Sequence, residues 1–274
     1  MAKKAFLAYS LLFAAVAILF LGINSILTYA QSAGFSCDSG TLSDVCVVST
    51  TKNLISNTVI DGSGSLRITG TGTLVTGGKG ITISMGRDVT IDAGGKIDTS
   101  NQIAGQNGGN IVINAENVTI SGNLSASTAS CPGQSSCGKG GDININAAET
   151  FGLSPSGSIS TSGTDFSSGL GGNINFVASS GGNVEIRAGE ARVMGDVVTK
   201  GGKAVAAEGS HYGYAQTVIG GDAGRISVAA DGLIDMPGRI FAYGGNASIA
   251  GNTNYKTSVA GRASSIVIKS TGGS

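Results

Sequence analysis

Paired glycines followed by a strict alternation of aliphatic and polar side chains recur along this chain. GGNIVINA (108–115), GGDININA (140–147) and GGNINFVA (171–178) are near-copies, and GKGITISM, DAGRISVA and ASSIVIKS are looser ones. Aligned on this phrase, the first aliphatic positions are Ile81, Ile111, Ile143, Ile174, Ile226 and Ile266, in steps of 30, 32, 31, 52 and 40 residues. One face of this first strand carries Ile81/Ile83, Ile111/Ile113, Ile143/Ile145, Ile174/Phe176, Ile226/Val228 and Ile266/Ile268. A period of two is that of a strand and not of a helix.

A second strand follows in DVTID, NVTIS, TFGLS, NVEIR and GLIDM. A third follows in GKIDTS, GNLSAS, GSISTS, DVVTK and RIFAY, with Gly95, Gly122, Gly157 and Gly238 at sharp bends between strands. A three-strand unit of this size cannot bury its apolar face alone. Stacked on its copies it buries a continuous core and pairs each backbone with the neighbours above and below. The pattern therefore predicts an all-β protein, a right-handed parallel β-helix of three-strand coils over 58–274. Asn144 and Asn175 are expected to form an outward amide ladder. A β-sandwich also alternates, but it explains neither the period nor identical phrases at identical phase.

Composition agrees. Forty-six Gly with 3 Pro and 41% apolar residues fit neither collagen nor a disordered chain. Lys+Arg and Asp+Glu balance at 17 each, which leaves no field for nucleic acid. Lys3 and Lys4, the apolar AFLAYSLLFAAVAILFLG and the small-residue TYAQSA mark residues 1–30 as a signal peptide or a retained anchor helix. Either way the remainder is secreted or at the cell surface, touching membrane only through that segment if it stays uncleaved. Cys37 with Cys46 and Cys131 with Cys137 then form two short-loop disulfides, and no metal site is expected from this spacing.

Residues 34–57 read as an N-terminal cap pinned by the first cysteine pair. No cap is legible after SSIVIKSTGGS, so the C-terminal coil is expected to offer an edge for end-to-end self-association. Length variation gathers after the third strand, with the longest insertions at 201–224 and 244–261. These hold the candidate ligand-binding residues His211, Tyr212, Tyr214, Tyr255 and Lys256. Exposed tyrosines stack on sugars or anchor protein partners; the competing reading has them packing loops onto the wall.

No catalytic residue is assigned and no cofactor is implied. His211 lacks a nucleophile context, and Asp92, Asp98 and Glu185 fall in columns that do not cluster acids. Calcium-type repeats are missing, threonine pairs fall at different phases, and the sequons at Asn117, Asn123 and Asn246 matter only in a glycosylating host.

GGNIVINAENVTISGNLSAS followed by GGDININAAETFGLSPSGSISTS resembles the repeats of filamentous-haemagglutinin-like exoproteins and related large β-helical adhesins. The resemblance implies a right-handed parallel β-helix serving as a stalk or adhesive surface, and it carries over no functional residue. The expected function is a secreted or surface structural and adhesive protein that binds a glycan or a protein through its loop edge. The alternative is a carbohydrate-active β-helix enzyme, a polysaccharide lyase or hydrolase.

Overall fold

The computed structural model describes residues 35–103, 105–128, 137–168, 175–206, 216–249 and 256–271. The expected helix at 1–30 lies outside them. Every described element is a strand, and successive repeats lie on one another as rungs. The first rung holds β1 (Val45–Val48) and β2 (Thr51–Asn53). The second holds β3 (Thr58–Gly62), β4 (Ser65–Ile68) and β5 (Thr73–Val75), and the third β6 (Ile81–Met85), β7 (Asp88–Ile91) and β8 (Lys96–Asp98). In the fourth, the first two strands fuse into β9 (Ile111–Ile120), followed by β10 (Asn123–Ser125).

The next rungs are wider. The fifth holds β11 (Ile143–Leu153), β12 (Ser158–Ser160), β13 (Phe166–Ser168) and β14 (Asn175–Val177), and the sixth β15 (Val184–Val193), β16 (Asp196–Lys200), β17 (Ala204–Ala206) and β18 (Gln216–Ile219). The seventh holds β19 (Ile226–Ala230), β20 (Ile234–Asp235), β21 (Ile240–Tyr243), β22 (Ala247–Ile249) and β23 (Lys256–Val259). The eighth begins with β24 (Ile266–Ser270). All named strand pairs are parallel. They form an eleven-stranded sheet of first and second strands, a seven-stranded sheet of third strands, and two three-stranded sheets, β13-β17-β22 and β14-β18-β23.

Register defines the core. Ile81, Ile111, Ile143, Val184, Ile226 and Ile266 form one column, and Ile60, Ile83, Ile113, Ile145, Ile186, Val228 and Ile268 the next. On the third strands Leu74, Ile97, Leu124, Ile159, Val197 and Ile240 align. The members from Ile60 to Val228 are buried, and each aliphatic so removed from water contributes about 1.5–3 kcal/mol. Where Phe151 fills one second-strand position, Ala191 lies in register above it, a pairing of large with small that suits close packing.

This register corrects the alignment at one repeat. The strand above Ile143 begins at Val184, so NVEIR is a first strand, and the steps become 30, 32, 41, 42 and 40 residues. In GGNINFVA, Asn175–Val177 form β14, which pairs with β18 in a separate sheet. The expected pairing of Asn175 with Asn144 is therefore not formed: Asn175 sits opposite Thr217, and Asn144 lies between Val112 and Glu185. The amide ladder forms two positions along, where Asn146 Nδ2 donates to Asn114 Oδ1 at 2.9 Å and Asn114 Nδ2 to Ser84 Oγ at 3.3 Å.

The glycine of each repeat phrase has a steric cause. A Cβ built on Gly141 would lie 2.1 Å from the Gly109 carbonyl oxygen, and one on Gly182 would lie 2.0 Å from that of Gly141. Backbones pass here too closely for any side chain. Beside this column the third, fifth and sixth rungs each carry a buried threonine that bonds across to the start of the next rung. Thr99 Oγ1 donates to the Gly109 carbonyl at 2.5 Å, Thr161 to Gly182 and Thr199 to Gly224, both at 2.6 Å.

At the N-terminal end Cys37 and Cys46 form the expected disulfide, and Ser39 bridges Val47 antiparallel on the lower edge of β1. Asp38 accepts from the backbone N–H groups of Ser49 and Thr50 at 2.7 and 2.8 Å and pairs with Lys52. The Lys52 ammonium first, and then the Ser49 N–H, hold this carboxyl well below the usual carboxylate range. Strands β1 and β2 lie within 34–57 and stack in register on β4 and β5.

Candidate functional site

From the fifth rung onward the segment after the third strand leaves the body as an arm. The segments expected to be loops at 201–224 and 244–261 contain β17 and β18, and β22 and β23. Runs as short as AVA and QTVI show no periodicity of their own; their order comes from pairing with the same positions one rung away. The two small sheets enclose a second core of Phe166, Ala178, Ala204 and Val218, with Cys137 and Ala247 packed against it.

Outgoing and returning segments interleave at the arm's neck. Gly202 N–H donates to the Ser179 carbonyl at 2.7 Å, Gly221 to Gly202 at 2.9 Å, and Gly245 to Gly221 at 2.8 Å. A Cβ on Gly221 would lie 1.9 Å from Ser179 O, and one on Gly245 1.8 Å from Gly202 O.

Of the residues singled out from the sequence, Lys256 opens β23 and pairs in register with Gln216 of β18. His211, Tyr212, Tyr214, Tyr255 and Cys131 lie outside the described residues. Cys137 is disulfide-bonded. β17 pairs with β22 and β18 with β23, so the sixth and seventh rungs carry the arm in register.

A groove of about 640 Å³ runs along the corner where the narrow rungs give way to the wide ones. Gly80, Gly108, Gly140 and Gly141 line it with Val59, Thr82 and Val112 from the first strands and with Asn57, Asn107, Asn110, Lys139 and Asp142. The polar residues are held by a ladder that runs from rung to rung. Asn57 Oδ1 accepts from Gly80 N–H at 2.8 Å, Asn110 Oδ1 from Asp142 N–H at 2.9 Å, Asp142 Oδ1 from Asn183 N–H at 2.7 Å, and Asn183 Oδ1 from Arg225 N–H at 2.8 Å. In parallel, Asn107 Oδ1 accepts from Lys139 N–H at 2.7 Å. Because each partner is a donor, every one of these amides must present its oxygen to the ladder.

The sequence reading missed this groove, although the signal was there: Asn110, Asp142 and Asn183 each follow a glycine pair.

Five carboxylates elsewhere are each tied to one cation. Asp92 meets Arg67, Asp98 meets Lys96, Glu185 meets Arg187, Asp196 meets Arg239 and Asp235 meets Arg192. The Arg239 hydrogen bond lowers the Asp196 pKa. Among the described residues no group of three or more His, Cys, Asp or Glu is placed to hold a metal.

At the C-terminal end, Ile266 and Ile268 are 43% and 52% exposed, whereas Ile226 and Val228 beneath them are 0% exposed. Comparison with family models, curated proteins and solved structures finds no match to this chain.

Proposed function

We propose that this chain is an extracytoplasmic structural and adhesive protein, a right-handed parallel β-helix that holds the arm as its presenting surface. Right-handed connection between parallel strands is the physical default for such crossovers. The disulfide Cys37–Cys46 fits an oxidising compartment. The observation that carries the reading is the register of β17 on β22 and of β18 on β23, which gives successive rungs the same lateral excursion at the insertions that hold the candidate residues in the sequence. A rigid scaffold with variable segments on one side is the usual design of a binding surface. Its ligand is a surface glycan or a protein, with the tyrosines as anchors and Lys256 beside them.

The test is a glycan-array and cell-binding screen of the exported chain against a variant lacking 207–215, with β17 and β18 retained. Loss of binding with unchanged thermal unfolding supports the reading; equal binding contradicts it. Release of new reducing or unsaturated ends from polysaccharides would favour the enzyme alternative instead.

A second copy is the occupant proposed for the exposed edge of β24, where Ile266 and Ile268 continue columns of five and six aliphatic residues in the rungs below. Light scattering is expected to give a mass that rises with concentration and falls to the monomer in Ile268→Lys. A wild-type mass that stays monomeric throughout contradicts it.

A further inference from the structure

We propose that the corner groove binds an extended, carboxylate-bearing polysaccharide lying along the stack axis, at a site distinct from the arm and independent of the arm's role. The groove follows equivalent positions of successive rungs, and its walls repeat at the strand spacing of about 4.8 Å. That advance is commensurate with one pyranose of an extended chain, so the groove suits a linear repeating ligand better than a compact one.

Its asparagines offer mainly donors. Asn57, Asn107 and Asn110 each commit Oδ1 to a backbone N–H of the next rung. Their Nδ2 groups find no acceptor among the described residues, and all three side chains are exposed. Lys139 adds an ammonium whose partner, Asp142 at 3.0 Å, is an exposed ion pair of the kind that exchanges readily. A row of fixed donors whose amide oxygens already face the ladder favours a ligand rich in acceptors, and carboxylates make the strongest such bonds. The ladder already holds the amides in place, so little side-chain order is lost on binding.

Asp142 occupies the same ladder position as Asn110 and Asn183, which shows that the ladder accepts either Asn or Asp. Asn110→Asp therefore removes a donor and adds a like charge while keeping the acceptor. Asp142→Asn keeps the acceptor and removes a charge that competes for Lys139.

The experiment is calorimetric titration of the full chain and both variants with a galacturonic acid hexamer and a glucose hexamer, alongside thermal unfolding. The galacturonate hexamer is expected to bind, about tenfold more weakly in Asn110→Asp, as for loss of one hydrogen bond to a charged group. Binding is expected to be about threefold tighter in Asp142→Asn and to weaken with salt. Absence of binding, equal binding of the two hexamers, or unchanged affinity in a folded Asn110→Asp overturns the proposal. Should Asn110→Asp fail to fold, Asn107→Asp is read in the same way.

Discussion

The third and sixth rungs lead with the same strands and the same aliphatic columns, yet one runs directly to its successor and the other travels out through the arm and back. Both are closed by the same contact. Thr99 to Gly109 spans 10 residues, Thr161 to Gly182 spans 21, and Thr199 to Gly224 spans 25. Lengthening the excursion from the first to the last costs only about 0.8 kcal/mol of closure entropy. The body is thus indifferent to what is inserted, and an insertion that recurs in successive rungs becomes long enough to build a core of its own around Phe166 and Val218.

The glycines sharpen this comparison most severely. Gly182→Ala drives a Cβ against the Gly141 carbonyl in the body, and Gly221→Ala does the same against Ser179 at the neck. Each is expected to cost more than about 3 kcal/mol, at or beyond the usual range for overpacking. Gly182→Ala should lower the whole melting transition, and Gly221→Ala the protection of the arm alone. Gly152→Ala is the control. A Cβ there meets nothing within 4 Å, and stability should change by less than about 1 kcal/mol.

Next come the two cores. Phe166→Ala is expected to cost about 3–5 kcal/mol, confined by hydrogen exchange to the two small sheets, β13-β17-β22 and β14-β18-β23. Ile145→Ala, in the continuous column, should cost about 2–5 kcal/mol and lower the transition of the body as a whole. If Phe166→Ala deprotects β6 and β9 equally, body and arm are not separable in the way the closing contacts imply.

The first rung is pinned by the Cys37–Cys46 crosslink, whereas the last described rung exposes Ile266 and Ile268. Removing the Cys37–Cys46 crosslink, which closes a short loop, should cost about 2–3 kcal/mol in chemical denaturation. Acid reads the same cap more gently. The Asp38 pKa is lowered on folding, so its stabilisation is complete above the unfolded carboxylate range and is lost only as pH falls below about 4 towards the folded value. Asp38→Asn should flatten that acid limb of the stability profile and leave the slope between pH 5 and 8 unchanged.

Much of the body was legible because branched aliphatics at a period of two leave little choice of face, and because paired glycines recur wherever Gly141 and Gly182 stack. The misplaced repeat has a specific cause. GGNINFVA at 171 and GGNVEIRA at 181 both begin with the phrase, and a step of 31 made the first look regular. The later steps of 42 and 40 were the correcting signal, since a constant longer period from Ile143 falls on Val184. The arm was hidden because its strands are three or four residues long and owe their form to their neighbours. The groove escaped notice because its amides act through a ladder between rungs, and a single repeat gives no hint of one.

The central claim is the register that places β15, not β14, directly above β11. Paired cysteines test it most directly: Asn144→Cys with Glu185→Cys, against Asn144→Cys with Asn175→Cys, each oxidised and mapped by mass spectrometry. Adjacent parallel strands bring the first pair within disulfide range. It is expected to crosslink without loss of stability, while the second pair stays reduced. Crosslinking of 144 to 175 in preference to 185 would contradict the account.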